Sequence, residues 1–371
     1  MSRYRFELAT AADDEDLRRV IAGTAMPGRI QVAFRREPSF FGAAVVEGHE
    51  TLVVAARDLA SGRIIGFGCR SLRDVFVGGQ PRKVGYLSGL RLLEEHRRLG
   101  LVARGYGFFR RLHAAGTTRL YLTTIAEDNR AARRVLLGGR AGLPVYHDLG
   151  RYLTAVLEVR RAHGERMPLA QRDDVRAAAN DKLGELLAFW QRHGPRRQFF
   201  PNYRADDFCD GGLLRGLAVE HVLVARSGGE IVGTLGVWDQ RPFRQVVVAG
   251  YDRVYRCLRP WYNAWATLVG RPRLPPQGST VDCASAALAV VADDRADVFT
   301  SLVDRAADLA AERGVARLMI GMHESDPLLP VVRRYRPRWY ATRLYAACWD
   351  DGEADVAALD GRAPYMELGS L

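Results

Sequence analysis

Leu90-Arg-Leu92-Leu-Glu-Glu-His-Arg97-Arg98-Leu-Gly100-Leu-Val102-Ala103-Arg104-Gly105 decides how this chain is read. An apolar, alternating run enters an arginine-rich turn, and a helical pattern follows at once. The first turn of a helix leaves backbone N–H groups without intrahelical partners and carries a partial positive charge, so such a turn is a seat for an anion. Gly100 permits close approach of the backbone, and Arg97, Arg98 and Arg104 can add charge-assisted hydrogen bonds. The expected ligand is a pyrophosphate-bearing cofactor.

The flanking pattern extends this reading. Val84 to Leu92 alternates as a strand does, and Val102, Tyr106, Phe109 and Leu112 recur at helical spacing until Ala114-Ala-Gly116 closes the helix. Arg119–Ile125 reads as a second strand. A helix from Glu127 to Leu136 follows, with Asp128 and Asn129 as candidate caps. Upstream, Tyr4–Leu8 is a short strand, Thr10-Ala-Ala-Asp13 is a capping-box pattern, and Leu52–Ala56 and Arg63–Phe67 form a hairpin-like pair around Ser61-Gly62.

In this order and spacing, Arg97-x-x-Gly100-x-Val102 followed by Asn129-x-x-Ala132 resembles the GNAT superfamily of acyl-CoA-dependent N-acyltransferases, over residues 3 to 160. The resemblance implies an α/β mixed sheet. It implies acetyl-CoA (an acyl-CoA) as co-substrate, with the backbone of Leu90 and Leu92 facing the acyl group. Arg97, Arg98, Gly100, Val102, Ala103, Arg104 and Asn129 would form the cofactor site. Two positions depart from the family pattern: Val102 stands where Gly or Ala is usual, and Leu136 stands where many members carry a tyrosine acid.

Composition bounds the alternatives. No apolar run is long enough to span a membrane, and the N-terminus has no signal core, so the expectation is a cytoplasmic protein without a membrane partner. The five cysteines are scattered without Cys-x-x-Cys spacing, so metal-free catalysis is expected. The net charge of +11 suggests nucleic acid, but Lys83 and Lys182 are the only lysines. That bias fits a GC-rich bacterial genome better than a selected basic surface, and it disfavours a nucleic-acid partner.

The second half repeats the first. Val222–Arg226 and Glu230–Gly236 answer to the first hairpin, Leu309–Gly314 with Arg317–Ile320 to the first helix and strand, and Leu288–Arg295 to Leu90–Arg97. The architecture is therefore read as two GNAT-like domains in tandem: 1–160 with the acyl-CoA site, a linker over 161–175, and a degenerate second domain over 176–371 opening on a helix from Asp174 to Arg192. Degeneracy is expected because Val298 stands opposite Gly100 and Asp297 opposite Leu99, placing bulk and a carboxylate where a pyrophosphate would sit. His193–Tyr203 reads as a packed connecting loop or a cleft-lining one. The aromatics of the insertion from Tyr251 to Gly278 read as interdomain core.

Acyl transfer needs a polarised thioester carbonyl, a neutral amine and a proton for the leaving thiolate. Candidates for proton transfer are Tyr146, which follows the Asn-bearing helix, with Ser88, Glu127 and His147 beside it. Three functions fit: an N-acetyltransferase acting on a primary amine of a small molecule or peptide, a non-catalytic acyl-CoA-binding module, and transfer of an aminoacyl or long-chain acyl group. The apolar ending Ala363–Leu371 is expected to dock, as an edge strand or in the interdomain cleft, and by resemblance the Leu371 carboxylate is a candidate base.

Overall fold

A computed structural model describes residues 3–26, 28–97, 99–139, 142–159, 175–269 and 273–371. The first half runs β1 (Tyr4–Leu8), α1 (Asp14–Ala22), β2 (Ile30–Arg35), α2 (Phe40–Ala44), β3 (Glu50–Asp58), β4 (Ile64–Val77), β5 (Gln80–Leu92), α3 (Leu99–Ala114), β6 (Tyr121–Ala126), α4 (Arg130–Leu136) and β7 (Val145–Glu158). The second runs β8 (Val175–Ala177), α5 (Leu183–His193), β9 (Val222–Ser227), β10 (Glu230–Trp238), β11 (Gln245–Tyr251), α6 (Arg253–Leu268), β12 (Cys283–Val291), α7 (Ala296–Glu312), β13 (Arg317–His323), α8 (Leu329–Arg334), β14 (Arg338–Cys348) and α9 (Glu353–Ala357).

Local chemistry sets the boundaries. The Thr10 N–H donates to the Asp13 carboxylate at 2.8 Å, closing the capping box ahead of α1. Asn129, rather than Asp128, caps α4 by accepting from the Ala132 N–H at 3.0 Å. The spacing of Leu101, Tyr106 and Phe109 puts all three on the buried face of α3. Phe109 lies directly over Gly68, where a Cβ would stand 3.1 Å from its ring.

Among the described residues twelve strands form one sheet in the order β1-β3-β4-β5-β6-β14-β7-β13-β12-β10-β9-β8. The two halves are the same unit, joined by an exchange of their last strands. β14 pairs antiparallel with β6, from Thr342↔Ala126 to Ala347↔Tyr121. β7 pairs antiparallel with β13, from Arg317↔Glu158 to His323↔Tyr152. The exchanged strands then pair with each other, from Arg338↔Val156 to Cys348↔Val145. Tyr152 sits at this seam, buried, with its hydroxyl donating to the Met366 carbonyl at 2.8 Å. Gly321 makes room for it: a Cβ there would lie 1.9 Å from the Tyr152 oxygen.

Two expectations are corrected. The helix expected from Asp174 begins only at Leu183, because Val175–Ala177 pairs with the edge of β9 as β8. Residues 160–174, which hold nearly all of the expected linker, lie outside the described residues. The insertion aromatics are not interdomain core: β11 pairs with β2 in a separate two-stranded sheet, and α6, which follows it, leaves Trp261 and Trp265 exposed. Among the described residues no helix is long and apolar enough to cross a membrane.

The N-terminal quarter is tied together by carboxylates. Burial pushes the Asp16 carboxyl up, but hydrogen bonds from the Ile64 N–H (2.9 Å) and Arg63 (2.7 Å), with attraction from Arg19, outweigh it and hold the group below the usual range. Glu7, Asp13 and Asp14 shift the same way. Stability from such groups is fully present above their unfolded pKa of about 4 and is lost as pH falls through the lower folded value. The melting temperature should therefore fall between about pH 4 and pH 2, and Asp16→Asn should flatten that dependence while lowering the melting temperature at neutral pH.

Candidate functional site

The sheet opens between β5 and β6. These parallel strands pair only at Gly85↔Tyr121 and Tyr86↔Leu122 and then diverge. The contact is close because Gly85 lacks a Cβ, which would stand 2.1 Å from the Tyr121 ring. On its other edge β5 bulges against β4: the register passes from Cys69↔Ser88 to Phe67↔Arg91, with Gly89 at φ +64°. A bulge removes an amide from the ladder, so backbone at Gly89–Leu90 is available at the mouth of the opening. Among the described residues no side chain occupies those amides.

Beyond Leu92 a short turn leads into α3. Gly100 is exposed, and a Cβ there would meet nothing within 4 Å, so the ground in front of the helix is open. Arg97 is exposed beside it, and Arg98 lies outside the described residues. Val102 and Ala103 are half-buried against the sheet. Arg104 is placed otherwise than the sequence suggests: its Nη2 donates to the Tyr4 carbonyl at 2.6 Å and its guanidinium lies 5.1 Å over the Phe6 ring, so it braces β1. Leu90 and Leu92 with Leu101, Val102, Tyr106 and Phe109 line a small apolar cavity of about 40 Å³ between α3 and the sheet.

The proton-transfer candidates fall in separate places. The Tyr146 hydroxyl donates to the Tyr106 hydroxyl at 2.9 Å beneath the opening. Burial pushes Tyr106 up to about 12, and burial plus the neighbouring Tyr106 raises Tyr146 well above the usual range, so both phenols stay protonated. Glu127 is engaged by Arg151 at 2.9 Å. His147 meets Cys348 and Glu353 across the β7–β14 pairing, a trio no sequence spacing announces. Burial and Glu353 push the Cys348 thiol up to about 12, so the trio is satisfied as a hydrogen-bonded group.

Ser88 leads to residues that sequence reasoning missed. Its hydroxyl donates to Glu47 at 3.1 Å, and Glu47 is buried between Arg36 and Arg244, the latter at 2.5 Å. Burial alone would raise this carboxyl, but the two guanidiniums outweigh it and hold it below the usual range. Arg73 adds a bond to the Glu47 carbonyl at 2.5 Å. The residues sit far apart in the chain, and Val45-Val-Glu47 carries no motif. Arg244 also donates to the Gly369 carbonyl (3.0 Å) and to the Leu371 carboxylate (3.1 Å), so the ending docks as a turn over Leu368–Ser370 and not as an edge strand, with its carboxylate engaged by a guanidinium.

The second half repeats the opening. β12 and β13 pair over Cys283–Ser285 and diverge, and β12 carries the same bulge, from Ala287↔Gly236 to Val290↔Thr234 with Leu288 at φ +55°. Here the Leu288 N–H donates to the Glu367 carboxylate at 3.0 Å. Arg197, from the connecting loop, lies in the opening and bridges Asp294 (2.5 Å) and Asp326 (3.2 Å). In the first turn of α7 the Asp297 carboxylate takes Arg295 at 2.6 Å and is held below the usual range by it. The bulge amide is taken by a carboxylate of the chain itself and the helix start carries another, while Arg197, Asp294 and Asp326 line the cavity that remains between β12 and β13.

A mixed sheet that opens beside a bulged strand, with a helix start facing the gap, is the architecture of the GNAT N-acyltransferases. Residues 16–138 match the Acetyltransferase (GNAT) family and form a domain of it. No curated protein matches the chain in sequence. Similar solved structures include the GCN5-related glucosamine N-acetyltransferase region of a fungal multi-domain GH3 β-N-acetylglucosaminidase (TM-score 0.58, 15% identity, 92% of this chain and 38% of that one). This chain thus spans well under half of that protein. Saccharomyces cerevisiae N-myristoyltransferase with bound myristoyl-CoA is similar over a larger share (TM-score 0.58, 10% identity, 94% and 83%). So is a probable N-acyltransferase from Enterococcus faecalis V583 (TM-score 0.51, 8% identity, 94% and 73%). At these identities the likeness is one of fold.

Removing one member of a buried ion cluster strands its partners. Glu47→Gln should cost about 3–5 kcal/mol, because Arg36 and Arg244 would then face each other without a carboxylate. Chemical denaturation of the variant checks this.

Proposed function

We propose that the first opening binds one acyl-CoA per chain and that the protein transfers its acyl group to a primary amine of a small molecule or peptide, with acetyl-CoA as the donor. The observation that carries this reading is the contrast between the two openings: among the described residues no side chain takes the bulge amides of the first, whereas in the second Glu367 takes the bulge amide and Asp297 places a carboxylate in the first turn of the helix. In the proposed complex the pyrophosphate lies at the start of α3 beside Arg97, with Arg98 adding charge. The amides at Gly89–Leu90 receive the thioester carbonyl.

Ser88 is suited to orient the amine. Its proton is committed to Glu47, which leaves the oxygen lone pairs free to accept from an incoming N–H. Glu47 is too acidic to serve as the base at neutral pH. For the leaving sulfur we propose Tyr106, which lines the cavity beside Leu90–Leu92, with Tyr146 holding its hydroxyl in place. A second reading, transfer of a longer acyl group, draws support from the apolar lining of that cavity.

Calorimetry with acetyl-CoA and with medium-chain acyl-CoA tests the proposal. One site per chain is expected. Gly100→Asp should abolish binding and Asp297→Ala should leave it unchanged; two equivalent sites would overturn the assignment. Arg97→Ala should weaken binding about tenfold, as loss of one charge-assisted bond does, while Arg133→Ala changes little. In turnover assays with an amine panel, Tyr106→Phe should lower kcat with little change in KM. Equal rates in the variant would remove Tyr106 from the mechanism.

A further inference from the structure

α6 turns an apolar stripe to solvent. Val254, Leu258, Trp261, Trp265 and Leu268 are spaced four, three, four and three residues apart, which places all five on one face of the helix. They are 61%, 55%, 78%, 44% and 86% exposed, values that belong to side chains with nothing packed over them. Scattered exposed leucines are ordinary, but a contiguous stripe holding two tryptophans is not.

The stripe is presented by a braced element. Asp252 caps the helix through the Tyr255 N–H at 2.7 Å, and Ala266 on the opposite face is buried. Asn263 clamps the returning strand by exchanging two hydrogen bonds with the Leu274 backbone, at 2.7 and 3.1 Å. The base of the helix is rooted in the β2–β11 sheet, where the Asp252 N–H donates to the Arg29 carbonyl at 3.0 Å.

Charge says what covers it. Arg253–Leu268 contains three arginines and no Asp or Glu. Arg253 is exposed on the flank of the stripe and Arg256 is exposed on the face away from it, and among the described residues neither has a carboxylate partner. Elsewhere the arginines are paired repeatedly: Arg57 with Glu7 and Asp13, Arg226 with Glu185, Arg241 with Asp239 and Asp282. A second copy of this chain would bring the same unpaired cations to a symmetric contact, where they repel.

We propose that α6 is an interfacial helix that lies in the plane of an anionic lipid surface. Its five apolar side chains enter the headgroup–acyl boundary, Arg253 on the flank meets lipid phosphates, and Arg256 adds to the positive field of the helix. This does not depend on the acyltransferase reading.

The full chain is sedimented with phosphatidylcholine vesicles, alone or containing phosphatidylglycerol, at low and raised salt. The expected result is at least tenfold preference for the anionic vesicles, weakened by salt. Trp261→Ser with Leu268→Ser should lower binding tenfold or more with an unchanged melting temperature. Arg253→Gln should weaken the preference for anionic lipid, more than Arg256→Gln does. Absence of vesicle binding, or equal binding by the Trp261→Ser, Leu268→Ser variant, would overturn the proposal. A dimer of the free protein that the same variant dissolves would assign the stripe to a second copy instead.

Discussion

The exchange of β7 and β14 is the constraint on which the rest of this structure depends. Each half supplies the strand that completes the other, so one wall of each opening is held from behind by a strand of the other half. The first lies between β5 and β6, and β6 is held on its far side by β14, formed some two hundred residues later in the sequence. Such pairings carry a large loop-closure cost and form late, so the site is a product of the finished fold rather than of its local elements.

The two openings separate what a fold provides from what function requires. Bulge, divergence and helix start recur in both, so backbone geometry alone does not make a binding site. What differs is a handful of side chains. Glu367 sits on the second bulge amide, where burial raises its carboxyl above the usual range despite bonds from Leu288, Tyr365 and Tyr203. Asp297 places a carboxylate in the first turn of α7, paired with Arg295. Arg197 lines the gap, held by Asp294 and Asp326. The places that suit a ligand's oxygens in one half are met by the protein's own carboxylates in the other.

How much of this could be read in the sequence follows the range of the forces involved. The strand, turn and helix around Arg97 and Gly100, the Asn129 cap and the Thr10 capping box are set by neighbours within a few residues, and each lies where the pattern puts it. The internal repeat is likewise legible, because matching hydrophobic patterns survive where identity does not. The strand exchange leaves no local trace, since β7 and β14 read the same whichever edge they pair with. The Glu47 cluster joins Arg36, Ser88 and Arg244 across the fold. Arg104 looks like a phosphate ligand until β1 is in place beneath it. The aromatics of α6 carry the composition of a core, and only their exposure distinguishes a surface from an interior.

The exchange also bears on what this chain would become if divided. A separated first half would keep β7 with no β13 to receive it, and β6 with an edge left open, which is a hazard for any sheet. Both problems have one remedy. β7 is antiparallel to β13 just as β14 is to β6, so folding back onto β6 would close the half upon itself with the same sense of pairing. The tandem molecule is then related to two self-contained units as an intramolecular domain swap is to its monomers.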